Sequence, residues 1–238
     1  MNKAILITGA ATRIGRVLAS GLADDGWRVA IHYNKSEQAA QKLASEIGNA
    51  VSVQANLAKA GEVETLISRA SDTLGKPVTA LINNASTYAP DDAAHYREAA
   101  FDAHLAVNLK APLRLAQHFA KQLPGAGQGN IINIIDQRVL RPAPGFFTYG
   151  VSKSALYAAT KTMAQTFAPN IRVNGIGPGP TLKSVYQSDD EFTREAKNTL
   201  LGRGSPPETI LHAVRYLLSA SAVTGQMICV DGGQHLGD

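Results

Sequence analysis

Tyr149 and Lys153 stand four residues apart in Tyr-Gly-Val-Ser-Lys, a spacing that puts both on one face of a helix, one turn from each other. A phenol with a reference pKa of about 10 is a poor base at neutral pH, so the tyrosine needs a cation beside it. A unit charge about 4 Å away contributes roughly 4 kcal/mol at an effective dielectric of about 20, enough to shift the phenol by up to about three units. Such a pair handles protons near neutrality. Tyr157 and Lys161 repeat the spacing two turns deeper in the same helix. Position favours Tyr149, which directly follows a loop.

A second constellation opens the chain. Thr8-Gly9-Ala10-Ala11-Thr12-Arg13-Ile14-Gly15 follows an apolar run and leads into a helix with Ile14, Val17, Leu18 and Leu22 on one side. Gly9 permits a tight turn, Gly15 permits close helix packing, and the helix start offers unpaired N–H groups to a pyrophosphate. An NAD-selective site would place Asp or Glu at the end of the second strand to accept the ribose hydroxyls. Tyr33 stands there, followed by Asn34, Lys35 and Ser36. With Arg13 these residues supply two cations and two neutral polar groups, suited to a ribose 2′-phosphate. The expected cofactor is NADP(H).

The elements that must position these groups are visible as apolar, β-rich runs starting at Ala4, Arg28, Ala50, Val78, Asn130, Ile171 and Gln226. Segments with helical spacing separate the first six, for example Leu66, Ile67 and Leu74. Strands with little polar alternation, separated by helices, indicate a parallel sheet covered on both faces. The expected fold class is α/β, a Rossmann-type doubly wound sheet of seven parallel strands in a single domain spanning 1–238. Gly125–Gly129 reads as a turn before the fifth strand. The proline-bounded stretch 178–207 holds a short helix-like Asp-Asp-Glu-Phe-Thr-Arg-Glu-Ala-Lys-Asn-Thr-Leu and no strand, and is expected to form a substrate lid.

Composition narrows the classes. Of 238 residues, 45% are hydrophobic and 18% charged, which is globular rather than disordered composition. The 23 basic residues are scattered and the net charge is only +4, which argues against a nucleic-acid stripe and suits a phosphorylated small molecule. The single Cys229 excludes an internal disulfide, fits a reducing compartment and reads as a core residue. The apolar run before Thr8 is too short for a signal peptide or membrane span, so a cytoplasmic location is expected. The six histidines show no ligand spacing, and no metal is expected.

Taken together, Thr8-Gly9…Gly15, Asn83-Asn84-Ala85, Asn108, Tyr149…Lys153 and Pro178-Gly179 resemble the motifs of the short-chain dehydrogenase/reductase family along nearly the whole chain. The middle glycine of that family's first motif is Arg13 here. The resemblance implies that Asn84, Ala85, Pro178 and Gly179 join Gly9, Ile14 and Gly15 around the cofactor. It also implies that Lys153 holds the nicotinamide ribose and that Asn108 helps organise a proton-relay water. Asn56-Leu57 occupies the place of an Asp-Leu pair that contacts the adenine, and an amide oxygen can accept from its amino group. Family members assemble as dimers or tetramers, which implies a homotetramer.

One departure narrows the chemistry. Where the family carries a serine that polarises a substrate carbonyl, this chain has Asp136. Hydride delivery to a ketone builds negative charge on oxygen, and an ionised carboxylate nearby would raise that barrier. Reduction of a C=N bond instead requires a proton on nitrogen, a task for a carboxylic acid whose pKa is raised by burial. The set Arg13, Asp136, Tyr149, Lys153 and Tyr88 is most similar to the pteridine reductase branch, which implies a pterin ring between the nicotinamide and Tyr88, with Ser86 and Arg13 at its polar edge. Phe146, Phe147, Leu182, Val185 and Tyr186 are candidate walls. The expected substrate is thus a small oxidised pteridine of dihydropterin or dihydrofolate type. A carbonyl reductase or alcohol dehydrogenase of the same family, or a dinucleotide sensor without turnover, are the alternatives. The complete Asn108, Tyr149 and Lys153 set argues against the sensor, because binding alone does not require it.

Overall fold

All seven apolar runs become strands of one parallel sheet: β1 (Ala4–Ile7), β2 (Arg28–Tyr33), β3 (Ala50–Gln54), β4 (Ala80–Asn83), β5 (Gly129–Ile134), β6 (Ile171–Pro178) and β7 (Met227–Val230). The computed structural model describes residues 3–123 and 127–237, so the turn expected at Gly125–Gly129 lies partly outside the described residues. The strand order is β3-β2-β1-β4-β5-β6-β7. Every residue of β1, β4 and β5 is buried, which is why these runs lack polar alternation.

Helices cover both faces. On one side α3 (Ala60–Leu74), α5 (Ala111–Gln122) and α6 (Phe147–Phe167) bury Leu66, Leu115, Phe119 and Met163 against Leu6, Leu81 and Ile131. On the other, α1 (Arg13–Asp24), α2 (Glu37–Ile47) and α8 (Pro207–Ser219) bury Leu18, Leu22, Leu43 and Val214 against Ile5, Ile31 and Ile82. Alternate residues of each strand therefore serve opposite layers, the consequence of a two-residue side-chain period.

This order places the site. The chain winds outward in one direction through β2 and β3 and in the other through β4 to β7, so β1 and β4 are neighbours with diverging connections. A crevice opens there beyond the strands' carboxyl ends. Two further features shape it. The helix α4 (Glu98–Leu105) runs into α5 through a π turn at Ala106–Lys110, which carries Asn108. Between β6 and α8, the expected lid contains α7 (Asp189–Lys197), started by a capping box in which Ser188 and Glu191 bond each other's backbone N–H. Among the described residues, no helix is long and apolar enough to cross a membrane.

Candidate active site

The glycine turn after β1 is built for close approach. Gly9 has φ of 63°, and a Cβ there would come within 3.0 Å of the Ala85 Cα. At Gly15 a Cβ would sit 2.2 Å from the Gly9 carbonyl oxygen and 2.8 Å from Asn84 Nδ2. Thr8 and Asn84 tie the turn to the end of β4: Thr8 Oγ1 accepts from the N–H groups of Asn84 at 2.9 Å and Ala85 at 3.0 Å, and Asn84 Nδ2 donates to the Thr8 carbonyl at 2.8 Å. The cap residue Thr12 makes no side-chain bond to α1, leaving that helix start uncapped at the cleft wall. An uncapped helix start beside a turn with no room for a Cβ fits a pyrophosphate.

Arg13 keeps the left-handed backbone that a glycine would adopt without strain, with φ of 53°. Its guanidinium donates to the carbonyls of Leu182 at 3.1 Å and Lys183 at 3.0 Å, joining the glycine turn to the lid.

A cleft of about 540 Å³ runs from this turn to the lid. It is lined by Gly9, Arg13, Ile14, Gly15, Asn84, Ala85, Ser86, Tyr88, Asp136, Tyr149, Lys153, Pro178 and Gly179, so most of the expected site residues meet in one space. The N-terminal residues of α6 bring Tyr149 and Lys153 against the end of β5. There the Tyr149 hydroxyl donates to Asp136 Oδ2 at 2.8 Å, and Lys153 Nζ donates to the Ile134 carbonyl at 2.8 Å.

Burial and Asp136 dominate the electrostatics around Tyr149. Burial, and then the Asp136 carboxylate, push the Tyr149 hydroxyl well above its ordinary pKa. Burial lowers Lys153 to about 8, with Asp136 pulling it back up. Burial also raises Asp136, opposed by the Arg138 N–H, the Tyr149 hydroxyl and the charges of Arg138 and Lys153. The lysine cation therefore acts on the carboxylate, while the phenol keeps its proton. Lys153 Nζ lies 5.8 Å from the Tyr149 ring centroid.

The π turn brings Asn108 to the loop that carries Ser86. Asn108 is buried, and its side chain is fully engaged: Oδ1 accepts from Thr87 N–H at 2.8 Å and Ser86 Oγ at 3.2 Å, while Nδ2 donates to the Thr87 carbonyl at 2.9 Å and Ser152 Oγ at 3.1 Å. The side chain ties the Ser86 loop to α6. Tyr88, on that loop, stacks on Phe146 with centroids 4.2 Å apart and meets Tyr149 edge-on at 4.8 Å. Leu182, Val185 and Tyr186 line the cleft as expected, and Phe146 backs Tyr88. Phe147 does not line it, turning instead toward Tyr96 at 5.9 Å.

Asn34, Lys35 and Ser36 sit exposed at the end of β2, outside the cleft's lining but on the strand next to the glycine turn. Asn56 and Leu57 also lie outside it. The Asn56 side chain accepts from Ala58 N–H at 3.0 Å, and Leu57 packs into the core beside α3. Cys229 is partly exposed rather than a full core residue. Two cleft-side groups escaped the sequence reading. Arg138 lies two residues after Asp136 and lines the cleft, and the buried His32 braces the glycine turn. Neither belongs to a spacing pattern that would have singled it out.

A family model described as enoyl-(acyl carrier protein) reductase matches residues 9–235. The chain is 31% identical to the 3-oxoacyl-[acyl-carrier-protein] reductase FabG of Staphylococcus epidermidis, covering 99% of this chain and 100% of that protein. It is 32% identical to the human dehydrogenase/reductase SDR family member 4, over 98% of this chain and 87% of the other. Among solved structures, FolM alternative dihydrofolate reductase 1 from Brucella suis, in complex with NADP, superposes with a TM-score of 0.96 at 44% identity, over 100% of this chain and 96% of that one. The corresponding Brucella canis structure, also complexed with NADP, gives 0.96 at 43% identity, over 100% and 95% of the two chains. With the glycine turn, Asn108, and Tyr149 and Lys153 gathered at the switch of a doubly wound sheet, these likenesses carry one conclusion: the chain belongs to the short-chain dehydrogenase/reductase family.

Proposed function

We propose that the chain is an NADPH-dependent reductase of an oxidised pteridine, of the dihydropterin or dihydrofolate type. The observation that carries this reading is the partly buried hydrogen bond between Tyr149 and Asp136 in the cleft. Reduction of a C=N bond needs a proton on nitrogen, which this carboxyl can deliver, and the serine with which the family polarises a ketone oxygen is replaced here by Asp136. The likeness to folate reductases crystallised with NADP supports the same reading.

Gly9, Ile14, Gly15, Asn84, Ala85, Lys153, Pro178 and Gly179 would hold the dinucleotide, with Asn34, Lys35 and Ser36 toward a 2′-phosphate and Asn56 and Leu57 toward the adenine end. When bound, the cofactor supplies the hydride. The protein's own part is the proton. Burial favours the protonated carboxyl of Asp136, which in that form donates to a ring nitrogen of the substrate, while the Tyr149 hydroxyl stays bonded to the other oxygen. Lys153, 2% exposed, balances the carboxylate left behind. Ser86, Tyr88 and Arg13 form the wall and polar edge against which a flat heterocycle packs.

The test is a panel of dihydropterins, dihydrofolate and small ketones with NADPH and with NADH. Pteridine-dependent oxidation of NADPH is the expected result. Turnover of ketones but not pteridines would favour a carbonyl reductase, the reading that the likeness to the 3-oxoacyl reductases supports. A homotetramer and a cytoplasmic location belong to the same proposal, with 178–207 as the substrate lid.

A further inference from the structure

The turn after β5 carries a cation, Arg138, whose charge acts on Asp136 but whose guanidinium donors the proposed proton chemistry does not use. Arg138 bonds Asp136 only through its backbone N–H, at 2.9 Å. Among the described residues, its guanidinium takes part in no ion pair within 4 Å and no hydrogen bond. It lies 5.4 Å from the centroid of Phe146, partly buried and on the cleft surface. A half-desolvated guanidinium without an anion is unusual, because its planar fork of donors is matched by a carboxylate.

What stands between this cation and the reacting groups identifies the anion's carrier. The Tyr149 phenol meets Tyr88 edge-on at 4.8 Å, Tyr88 stacks on Phe146 at 4.2 Å, and Arg138 lies over Phe146. The sequence is proton donor, aromatic surface, cation. A folyl compound has the same order, with a pteridine joined through a p-aminobenzoyl ring to a glutamate bearing two carboxylates. A simple pterin ends after the first part and leaves the cation unused. Phe146 holds its place at a cost, since φ of 55° is rarely adopted by a bulky residue.

Resting on the pteridine reading above, we infer that Arg138 is the receptor for a carboxylate of a folyl substrate's glutamate tail, with Tyr88 and the Phe146 behind it spacing the cation from the pteridine end. The opposing charges nearby fit this assignment. Asp136 feels the Arg138 charge but forms no ion pair with it, being bonded to Tyr149, and Glu195 across the cleft accepts from Gln187 at 2.7 Å and Gln234 at 3.0 Å. Glu195 also repels a carboxylate from the lid side and directs it toward the β5 turn.

The experiment compares dihydrofolate with dihydrobiopterin, which has no carboxylate, as substrates of the NADPH-supplied enzyme and of Arg138→Gln. The ratio of the two kcat/KM values is measured on one preparation, so partial misfolding cancels. Loss of a charge-assisted bond should lower the dihydrofolate-to-dihydrobiopterin ratio about tenfold or more, mainly through KM for dihydrofolate. Arg138→Lys should retain part of the selectivity. An unchanged ratio, whether both activities fall together or neither does, overturns the assignment. Calorimetric titration with p-aminobenzoyl-L-glutamate separates this inference from the reading beneath it. If the wild type reduces neither pteridine, the proposed function fails, yet fragment binding weakened about tenfold in Arg138→Gln would still support a carboxylate receptor. Equal binding by both proteins, or none, would overturn it.

Discussion

His32 accepts the backbone N–H of Gly9 on its Nδ1 at 3.0 Å, while its Nε2 meets the Ala55 carbonyl at 3.0 Å, so one buried imidazole ties the glycine turn of β1 to the end of β3. Accepting from Gly9 requires a neutral ring with the proton on Nε2. Burial holds the ring neutral by lowering its pKa to about 4, with the Ala55 carbonyl pulling the other way.

That depression has a sign. In the unfolded chain the ring titrates at about 6.5, so as pH falls the unfolded state binds the proton first. The stabilisation is complete above that value and is lost progressively toward pH 4, amounting to about 3 kcal/mol across the window. Urea unfolding between pH 7.5 and 4.5 checks this. His32→Asn, whose amide oxygen still accepts from Gly9, should be less stable at pH 7.5 but show a flatter pH dependence. Parallel slopes in the two proteins would place the acid sensitivity elsewhere.

The Asp136 carboxyl makes a kinetic prediction. Burial raises its pKa, so the protonated form extends above the ordinary carboxylate range. If that form donates the proton, kcat for a dihydropterin declines as pH rises through the raised value, because the acid is being lost. Asp136→Asn should remove this limb and cost about 10²- to 10⁴-fold in kcat, with NADPH affinity largely kept. A loss under about fivefold would reduce Asp136 to a brace for the turn that its Oδ1 already closes with Arg138 N–H. Tyr149→Phe removes the partner hydroxyl and should likewise abolish most turnover while sparing cofactor affinity, as measured by quenching of protein fluorescence.

Cofactor choice should reside in the exposed residues after β2. Tyr33 is buried at the strand end, leaving Asn34, Lys35 and Ser36 as the groups free to meet a 2′-phosphate. Lys35→Glu exchanges attraction for repulsion, and kcat/KM for NADPH should fall about tenfold or more relative to NADH. An unaltered ratio would leave Arg13 as the discriminating cation.

Strands, layers and the glycine turn were legible in the sequence because each has a local signature. β1, β4 and β5 are uninterrupted apolar runs, and Gly9 and Gly15 sit where no side chain fits. Tyr149, Lys153 and Asp136 were legible as types at known spacing. What could not be read was their pairing. Helical spacing suggested Lys153 against the phenol, whereas the structure bonds the Tyr149 hydroxyl to Asp136 and Lys153 to the Ile134 carbonyl at the end of β5, and burial is the largest influence on all three ionisable groups. His32 and Arg138 escaped for a related reason: their partners are Gly9, 23 residues away, and an aromatic stack assembled from two distant loops.

The lid should answer to Arg13. Its guanidinium holds two successive carbonyls of a segment that also carries the Gln187–Glu195 hydrogen bond and the exposed Lys183–Asp189 ion pair at 2.7 Å, the latter contributing little by itself. Val185 in that segment is 88% exposed and Tyr186 52%, so chymotrypsin has a target beside the latch. Arg13→Ala and Arg13→Gly both remove the latch, and both should be cleaved between 182 and 187 faster than wild type. They differ in the backbone. Alanine keeps a left-handed residue that an L side chain adopts at a cost of about 1 kcal/mol, and glycine does not, so Arg13→Gly should be the more stable of the two by about that amount. NADPH should protect the wild-type segment more than either variant. Equal cleavage of all three proteins would mean that the lid is held by α7 and the tail contacts of Gln234 rather than by the arginine.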